Sequence, residues 1–354
     1  METGLVAPIP LSVQNVQDLS TKNLDVIPSR YIRPELANDI ISIDEGSKIP
    51  IIDLSKLTDE QFCQDELERF HLACKDWGFF QLINHGVQQD ALENVKREVT
   101  EFFKQPFEVK KEFSQQPGEV EGYGQAYVFS DEQKLDWGDM LYLITQPDVA
   151  RNMKLWPTSP PTFRETIVKY SEELQKVKMC VMASMAKNLE IEPEKFTNMF
   201  EKGIQSMRFN YYPPCVEDDK VLGISPHSDA TGITFLIQVN HVHGLQLRHK
   251  GNWVPVVLTT DAILVNIGDV LEILSNGKYK SIEHRVVINK TKERLSVAAF
   301  HEVNDNVMIG PLPELIKQGE DKYYKSLSFV DYTKLLNSEK LDGKTLIEQM
   351  KLKN

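Results

Sequence analysis

The chain is poor in cysteine, poor in net positive charge and short of long apolar runs, and each shortage removes a class of function. The four cysteines, Cys63, Cys74, Cys180 and Cys215, lie far apart and form no Cys-x-x-Cys pair. That is the pattern of free thiols in a reducing compartment rather than of a disulfide framework. Basic side chains number 40 against 52 acidic ones, a formal charge of −12. Such a surface repels phosphate backbones and anionic membranes, so no nucleic-acid partner and no membrane partner is expected. No apolar run reaches the ~20 residues of a membrane span. The amino terminus, METGLVAPIPLS, has no basic segment ahead of an apolar core, so no secretory signal is read there. A cytosolic protein, monomeric by default, is what these absences leave.

At 354 residues with 41% hydrophobic content, the chain can bury a large core. Residues 1–48 are polar with scattered apolar positions, and Ile27–Tyr31 reads as extended. Ile49–Ser55 reads as a buried strand, residues 60–76 as a helix with Phe62, Leu67, Phe70, Ala73 and Cys74 inward, and Phe79–Ile83 as a second strand. A further helix covers 88–104. Over 161–189, Ile167, Tyr170, Leu174, Val177, Val181 and Met185 recur every three or four residues, a continuous apolar stripe that braces whatever sheet follows. After residue 203 short β segments succeed one another, with turn signals at His249–Asn252 and a hairpin signal at Asn276–Gly277. Many short strands at close spacing argue for a sandwich or barrel. The divisions read are an extension over 1–48, a mixed region over 49–200, a β-core over 201–305 and a helical tail over 306–354.

In that β-core, His227–Ser228–Asp229 falls in or at the end of a strand, where residues two apart share a face. His284, on a strand in which Ile282, His284 and Val286 alternate with Glu283 and Arg285, can supply a third ligand. Two imidazoles and a carboxylate on one face of an octahedron are the ligand set of a non-haem iron(II) site with open positions. An isolated His-x-Asp is common by chance. Ten residues after His284, Arg294 and Ser296 share a strand face, and a guanidinium fork beside a hydroxyl suits a carboxylate ligand. A structural salt bridge is the alternative for Arg294. His71, His85 and His301 read as packing or hydrogen-bonding histidines, and His241, His243 and His249 as solvated turn residues.

Taken together, His227–Ser228–Asp229, His284 after 54 intervening residues and Arg294–Leu295–Ser296 resemble the plant 2-oxoglutarate- and iron-dependent dioxygenase family. Asn210–Cys215 (NYYPPC), Asp269–Val286, Ile49–Ser55 and Cys74–Val87 carry the same resemblance, which spans roughly residues 45–305. The chain is most similar to the senescence-related-gene-like branch, near codeine and thebaine O-demethylases and related to flavonol and anthocyanidin synthases; Glu121–Leu143 is similar to that branch. The resemblance implies an α+β, mainly β fold: a double-stranded β-helix (jelly-roll) core wrapped by helices, with an α/β N-terminal region. It implies Fe(II), 2-oxoglutarate and O₂ as cofactor and co-substrates, with ascorbate supporting activity. Asn210 and Tyr212 would bind 2-oxoglutarate beside Arg294 and Ser296. Tyr127, Phe129, Met140, Tyr142, Arg208, Phe300 and Glu302 would face the substrate, an aromatic or polycyclic plant metabolite to be hydroxylated or O-demethylated. A same-fold oxidase or cyclase that does not consume 2-oxoglutarate, and a non-oxidative metabolite-binding protein, are the competing expectations.

Overall fold

The structure, a computed structural model, describes residues 13–22, 26–41, 48–59, 61–116, 119–125, 128, 130, 132–316, 321–337 and 343–352. Its first half alternates short strands with helices: α1 (Val16–Thr21), β1 (Ile51–Asp53), α2 (Leu54–Leu57), α3 (Cys63–Leu72), β2 (Phe79–Ile83), α4 (Gln89–Lys104) and α5 (Phe107–Lys111). There follow β3 (Gly122–Gly124), β4 (Asp139–Gln146), the long α6 (Phe163–Asn188) and α7 (Pro193–Glu201). The β-rich part holds β5 (Gln205–Tyr212), β6 (Leu222–His227), β7 (Ile233–Gln238), β8 (Leu245–His249), β9 (Asn252–Pro255) and β10 (Ile263–Ile267). It continues with α8 (Asp269–Leu274), β11 (His284–Val287) and β12 (Arg294–His301), and the chain closes on β13 (Met308–Ile309), β14 (Leu327–Ser328), α9 (Phe329–Asn337) and α10 (Thr345–Met350).

Eight strands form one sheet in the order β1-β2-β10-β7-β12-β5-β4-β3, and four form a second in the order β6-β11-β8-β9. Only β1 and β2 run parallel within them. The two sheets are the halves of a jelly roll, and among the described residues they do not join into a closed barrel.

Period-two alternation sorts the large sheet into a dry face and a working face. Met207, Phe209 and Tyr211 of β5, Ile233, Phe235 and Ile237 of β7, and Leu295, Val297 and Ala299 of β12 join one core cluster with the α6 stripe. Ile167, Tyr170, Leu174, Val177, Val181 and Met185 are all buried in that cluster, so α6 braces the sheet as its periodicity predicts. The intervening residues, Arg208, Asn210, Tyr212, Thr234, Leu236, Arg294, Ser296, Ala298 and Phe300, line a cavity between the sheets.

Several local expectations are corrected. Tyr31 N–H bonds Pro28 O at 2.9 Å, so Ile27–Tyr31 is a turn rather than extended chain. Strand β1 is limited to three residues because the Asp53 carboxylate caps α2 immediately after it. Phe62 precedes α3 and is 49% exposed, whereas Leu67, Phe70, Ala73 and Cys74 are buried as expected. Gly78, at φ +60, ends that helix after a π-helical turn over Ala73–Trp77. His249–Asn252 does form the β8–β9 hairpin, with Lys250 and Gly251 both at positive φ. Asn276–Gly277 has the same backbone signs but terminates α8, Gly277 N–H returning to Glu272 O at 2.8 Å; the hairpin expected there is absent. Arg285, expected to alternate outward, is buried: it pairs with Asp39 and lies over the Trp253 ring at 4.1 Å. His249 stacks on Trp77 with ring centroids 3.9 Å apart instead of standing in solvent.

Candidate active site

Strands β6 and β11 pair antiparallel with His284 directly opposite His227, so the two imidazoles project from one small sheet as cross-strand neighbours. Their centroids are 4.3 Å apart. Asp229 lies two residues beyond His227 but past the end of β6, so its approach comes from the loop that leaves the strand rather than from strand alternation. Its Oδ1 stands 3.5 Å from His227 Nε2 and 3.6 Å from His284 Nε2. One donor atom from each residue falls within 4.8 Å of the others, the only such cluster among the described residues.

The outer atoms of this trio are all engaged. His227 Nδ1 is 2.9 Å from Ser225 O and His284 Nδ1 is 3.1 Å from Ile282 O. Each Nδ1–H donated to a carbonyl leaves the Nε2 lone pair turned towards Asp229. Asp229 Oδ2 accepts from Thr234 Oγ1 at 2.5 Å and Asn266 Nδ2 at 2.7 Å, which leaves Oδ1 towards the histidines. Burial alone would raise the Asp229 carboxyl, but the two imidazoles and the Asn266 amide outweigh it and hold it well below the usual carboxylate range. Burial favours the neutral His227 ring, yet the Asp229 carboxylate outweighs burial and raises its pKa. His284 is pushed down to about 4 by burial and by His227 beside it.

Support for His227 continues outward. Asp136 accepts from the Ser225 N–H at 3.0 Å and hydroxyl at 2.6 Å, and Arg33 Nη2 reaches Ser225 Oγ at 2.7 Å. Phe79 meets the His284 ring edge to face at 5.3 Å. None of Thr234, Asn266, Asp136 or Arg33 carried a signal in the sequence, because each comes from a different element and none forms a spaced pattern with the ligands.

The second constellation lies on the facing sheet. Across β5 and β12, Arg294 opposes Tyr212 and Ser296 opposes Asn210. Arg294 is 2% exposed, lies over the Tyr212 ring at 5.3 Å and donates to Ser296 Oγ at 3.3 Å. Among the described residues its Nε has no hydrogen-bond partner, and neither has Asn210 Oδ1. Among the described residues no carboxylate stands within ion-pair distance of Arg294, so the structural salt bridge weighed from the sequence is not found there. A buried guanidinium with an idle N–H and a hydroxyl beside it is the donor set an anionic carboxylate requires. Gly244 makes room for it: a Cβ there would lie 2.9 Å from Arg294 Cδ and 2.7 Å from Val287 O.

The residues expected to face the substrate are only partly assembled. Phe300 and Arg208 line the same cavity as the three metal-ligand candidates, and Met140 lines an adjoining one together with Arg208 and Tyr212. Tyr142 commits its hydroxyl to Ser206 Oγ at 2.7 Å. Glu302 sits just beyond β12 and outside the lining of either cavity, its carboxyl pushed up to about 7 by burial. Tyr127 and Phe129 lie outside the described residues. His71, His85 and His301 make the expected hydrogen bonds, to Tyr279, Asp261 O and Gln205, and His241 and His243 are exposed.

Residues 203–303 match the 2OG-Fe(II) oxygenase superfamily, and residues 49–159 match the non-haem dioxygenase in morphine synthesis N-terminal family. The chain is 52% identical to S-norcoclaurine synthase 1 of Coptis japonica, over 99% of both chains. It is 40% identical to codeine O-demethylase of Papaver somniferum, over 99% of this chain and all of that one. Among solved structures, JOX2 in complex with 2OG, Fe and JA superposes with a TM-score of 0.89 at 37% identity, covering 97% of this chain and 99% of that one. The chain therefore belongs to the 2OG-Fe(II) oxygenase superfamily, with Fe(II) and 2-oxoglutarate as its cofactor and co-substrate.

Proposed function

We propose that His227, Asp229 and His284 hold the iron, that Arg294, Ser296, Tyr212 and Asn210 receive 2-oxoglutarate, and that the enzyme oxidises an aromatic or polycyclic metabolite carrying an acidic group. The observation that carries the first part is the pair of constellations facing one cavity: three donor atoms with every outer atom engaged, opposite a buried Arg294 with no carboxylate beside it among the described residues. With iron and 2-oxoglutarate bound, the site activates O₂ for oxidation of a substrate C–H bond, releasing succinate and CO₂.

The chain's own residues prepare that chemistry. Asp229 stays anionic because the imidazoles and Asn266 stabilise the charge, while Ser225 O and Ile282 O fix both imidazole tautomers. The Arg294 fork and Ser296 hydroxyl take the distal carboxylate of 2-oxoglutarate and set its orientation. Phe79, Leu236, Leu264, Val286 and Phe300 keep the surroundings apolar and exclude bulk water.

Arg208 narrows the substrate class. It borders both cavities, and among the described residues its Nε lacks a hydrogen-bond partner and no carboxylate lies within ion-pair distance. A phenolate or carboxylate on the substrate fits that cation, while an ammonium does not. Relatives named for O-demethylation support attack at an O-methyl carbon, where oxidation collapses to formaldehyde and a phenol; ring hydroxylation is the same chemistry in a different pose. Cys63, Cys74, Cys180 and Cys215 form no disulfide among the described residues, which supports a reducing, cytosolic setting.

A screen of phenolic and carboxylated aromatic metabolites, read by succinate formation and product mass, tests this reading. Gain of one oxygen or loss of CH₂, with matching succinate, is the expected result. One relative is named as a synthase, so a product formed without succinate would favour a reaction that does not consume 2-oxoglutarate.

A further inference from the structure

The segment that carries His227 and Asp229, the end of β6 and the loop after it, is gripped from outside by the carboxy-terminal tail. Ligand residues 227 and 229 alternate with Pro226, Ser228 and Ala230, and each of these three offers one backbone group to the tail. Gly343 N–H donates to Pro226 O at 2.9 Å, and Ser228 N–H donates to Gly343 O at 3.1 Å. Tyr332 Oη donates to Ala230 O at 2.8 Å. Gly343 lies alongside His227 as a parallel bridge partner. Its φ of +56 is the left-handed conformation that favours glycine.

The same tail also reaches the approach to the third ligand. Lys344 Nζ donates to Ser281 O at 2.6 Å and lies 3.2 Å from Glu272 Oε2, which accepts the Ser281 N–H at 2.6 Å. Ser281 precedes Ile282, whose carbonyl orients His284. Buried Leu346, Ile347 and Met350 anchor α10 in the main core, and Tyr332 is itself 3% exposed.

We infer that the tail is a clasp that positions His227 and Asp229 for metal binding, with Tyr332 and Gly343 as its positioning residues; the inference rests on the metal site proposed above. A ligand segment held at three backbone groups within five residues has little freedom to turn Asp229 Oδ1 away from the histidines. By linkage, tail docking and metal uptake strengthen each other by the same factor.

The test is Co(II) titration of the full chain, followed by visible ligand-field absorption, together with amide exchange with and without saturating Co(II). Tyr332→Phe removes one grip and leaves Ala230 O without its donor; Gly343→Pro removes the donor to Pro226 O and opposes the positive φ. Outer-sphere support of metal ligands typically affects affinity by about 10–100-fold, so Tyr332→Phe is expected to weaken Co(II) binding about tenfold and Gly343→Pro more. Both should alter the absorption spectrum, which loss of stability elsewhere would not. Tyr170→Phe, which deletes a buried hydroxyl on α6 that has no partner among the described residues, should leave affinity and spectrum unchanged. Saturating Co(II) should slow exchange of the Gly343 amide. Should Gly343→Pro fail to fold, Tyr332→Phe and the exchange measurement still decide. Unchanged affinity and spectrum in Tyr332→Phe, with Gly343 exchange indifferent to Co(II), overturns the clasp alone. An unmodified chain that takes up no Co(II) overturns the metal-site reading and the clasp with it.

Discussion

Replacing Arg294 with methionine should move function and stability in opposite directions. The guanidinium is buried, its Nε–H is idle among the described residues, and its neighbours are neutral: the Ser296 hydroxyl, at 3.3 Å, and the Tyr212 side chain. Burial lowers its pKa, the sign expected when the fold penalises the charge. Charge-assisted hydrogen bonds to a carboxylate are worth about 1.5–3 kcal/mol each. Two of them lost to Arg294→Met remove roughly 3–6 kcal/mol, and at ~1.4 kcal/mol per decade the 2-oxoglutarate Kd should rise by about two to four orders of magnitude. In the protein without co-substrate, the variant exchanges an unpaired buried cation for an apolar chain of similar length, which should be neutral or stabilising by roughly 1–2 kcal/mol. The assays are 2-oxoglutarate titration and thermal unfolding of the metal-free protein. Refutation would be the reverse pair: an unfolding loss of about 3–5 kcal/mol, the penalty for breaking a buried ion pair, with 2-oxoglutarate binding untouched.

Three further outcomes follow from neighbouring contacts. Asn266→Leu withdraws the 2.7 Å amide bond from Asp229 Oδ2 and should weaken Co(II) binding by roughly tenfold in the same absorption titration. Gly244→Ala drives a methyl against Arg294 Cδ and Val287 O; the KM for 2-oxoglutarate should rise while metal affinity stays put, as parallel titrations would reveal. Lys178, buried with its Nζ 2.7 Å from Phe200 O, is held down to about 8 by burial, partly offset by Glu201. Its folded pKa lies below the unfolded value of about 10.4, so between those values the unfolded chain keeps the extra proton and stability rises with pH. Relative to Lys178→Met, the unmodified protein should gain roughly 2 kcal/mol between pH ~7.5 and ~10 in urea denaturation.

What the sequence made legible follows from periodicity. Arg294 and Ser296 share a face because β12 is a regular strand, and the α6 stripe is buried because its spacing is helical. His227 and Asp229 are legible by residue type at a strand end, but alternation does not account for their convergence: Asp229 lies past β6, and Thr234, Asn266 and the tail hold it in place. Those supports were invisible because hydrogen-bond partners from separate elements leave no spacing in the chain. Helix α8 was missed for a related reason. Its six residues are all buried, so they show no amphipathic period, and the Asn276–Gly277 turn that ends it has the same composition as a hairpin turn. Phe62 misled because a hydrophobic residue beside a helix start need not join the helix face.

Whether iron and 2-oxoglutarate meet between the two sheets is read by anaerobic titration of the Fe(II)-loaded protein with 2-oxoglutarate. A saturable charge-transfer absorption in the visible range is expected, abolished by His284→Ala and moved to much higher 2-oxoglutarate concentration by Arg294→Met. A folded protein that develops no such absorption, or one in which His284→Ala leaves it intact, is incompatible with the site described.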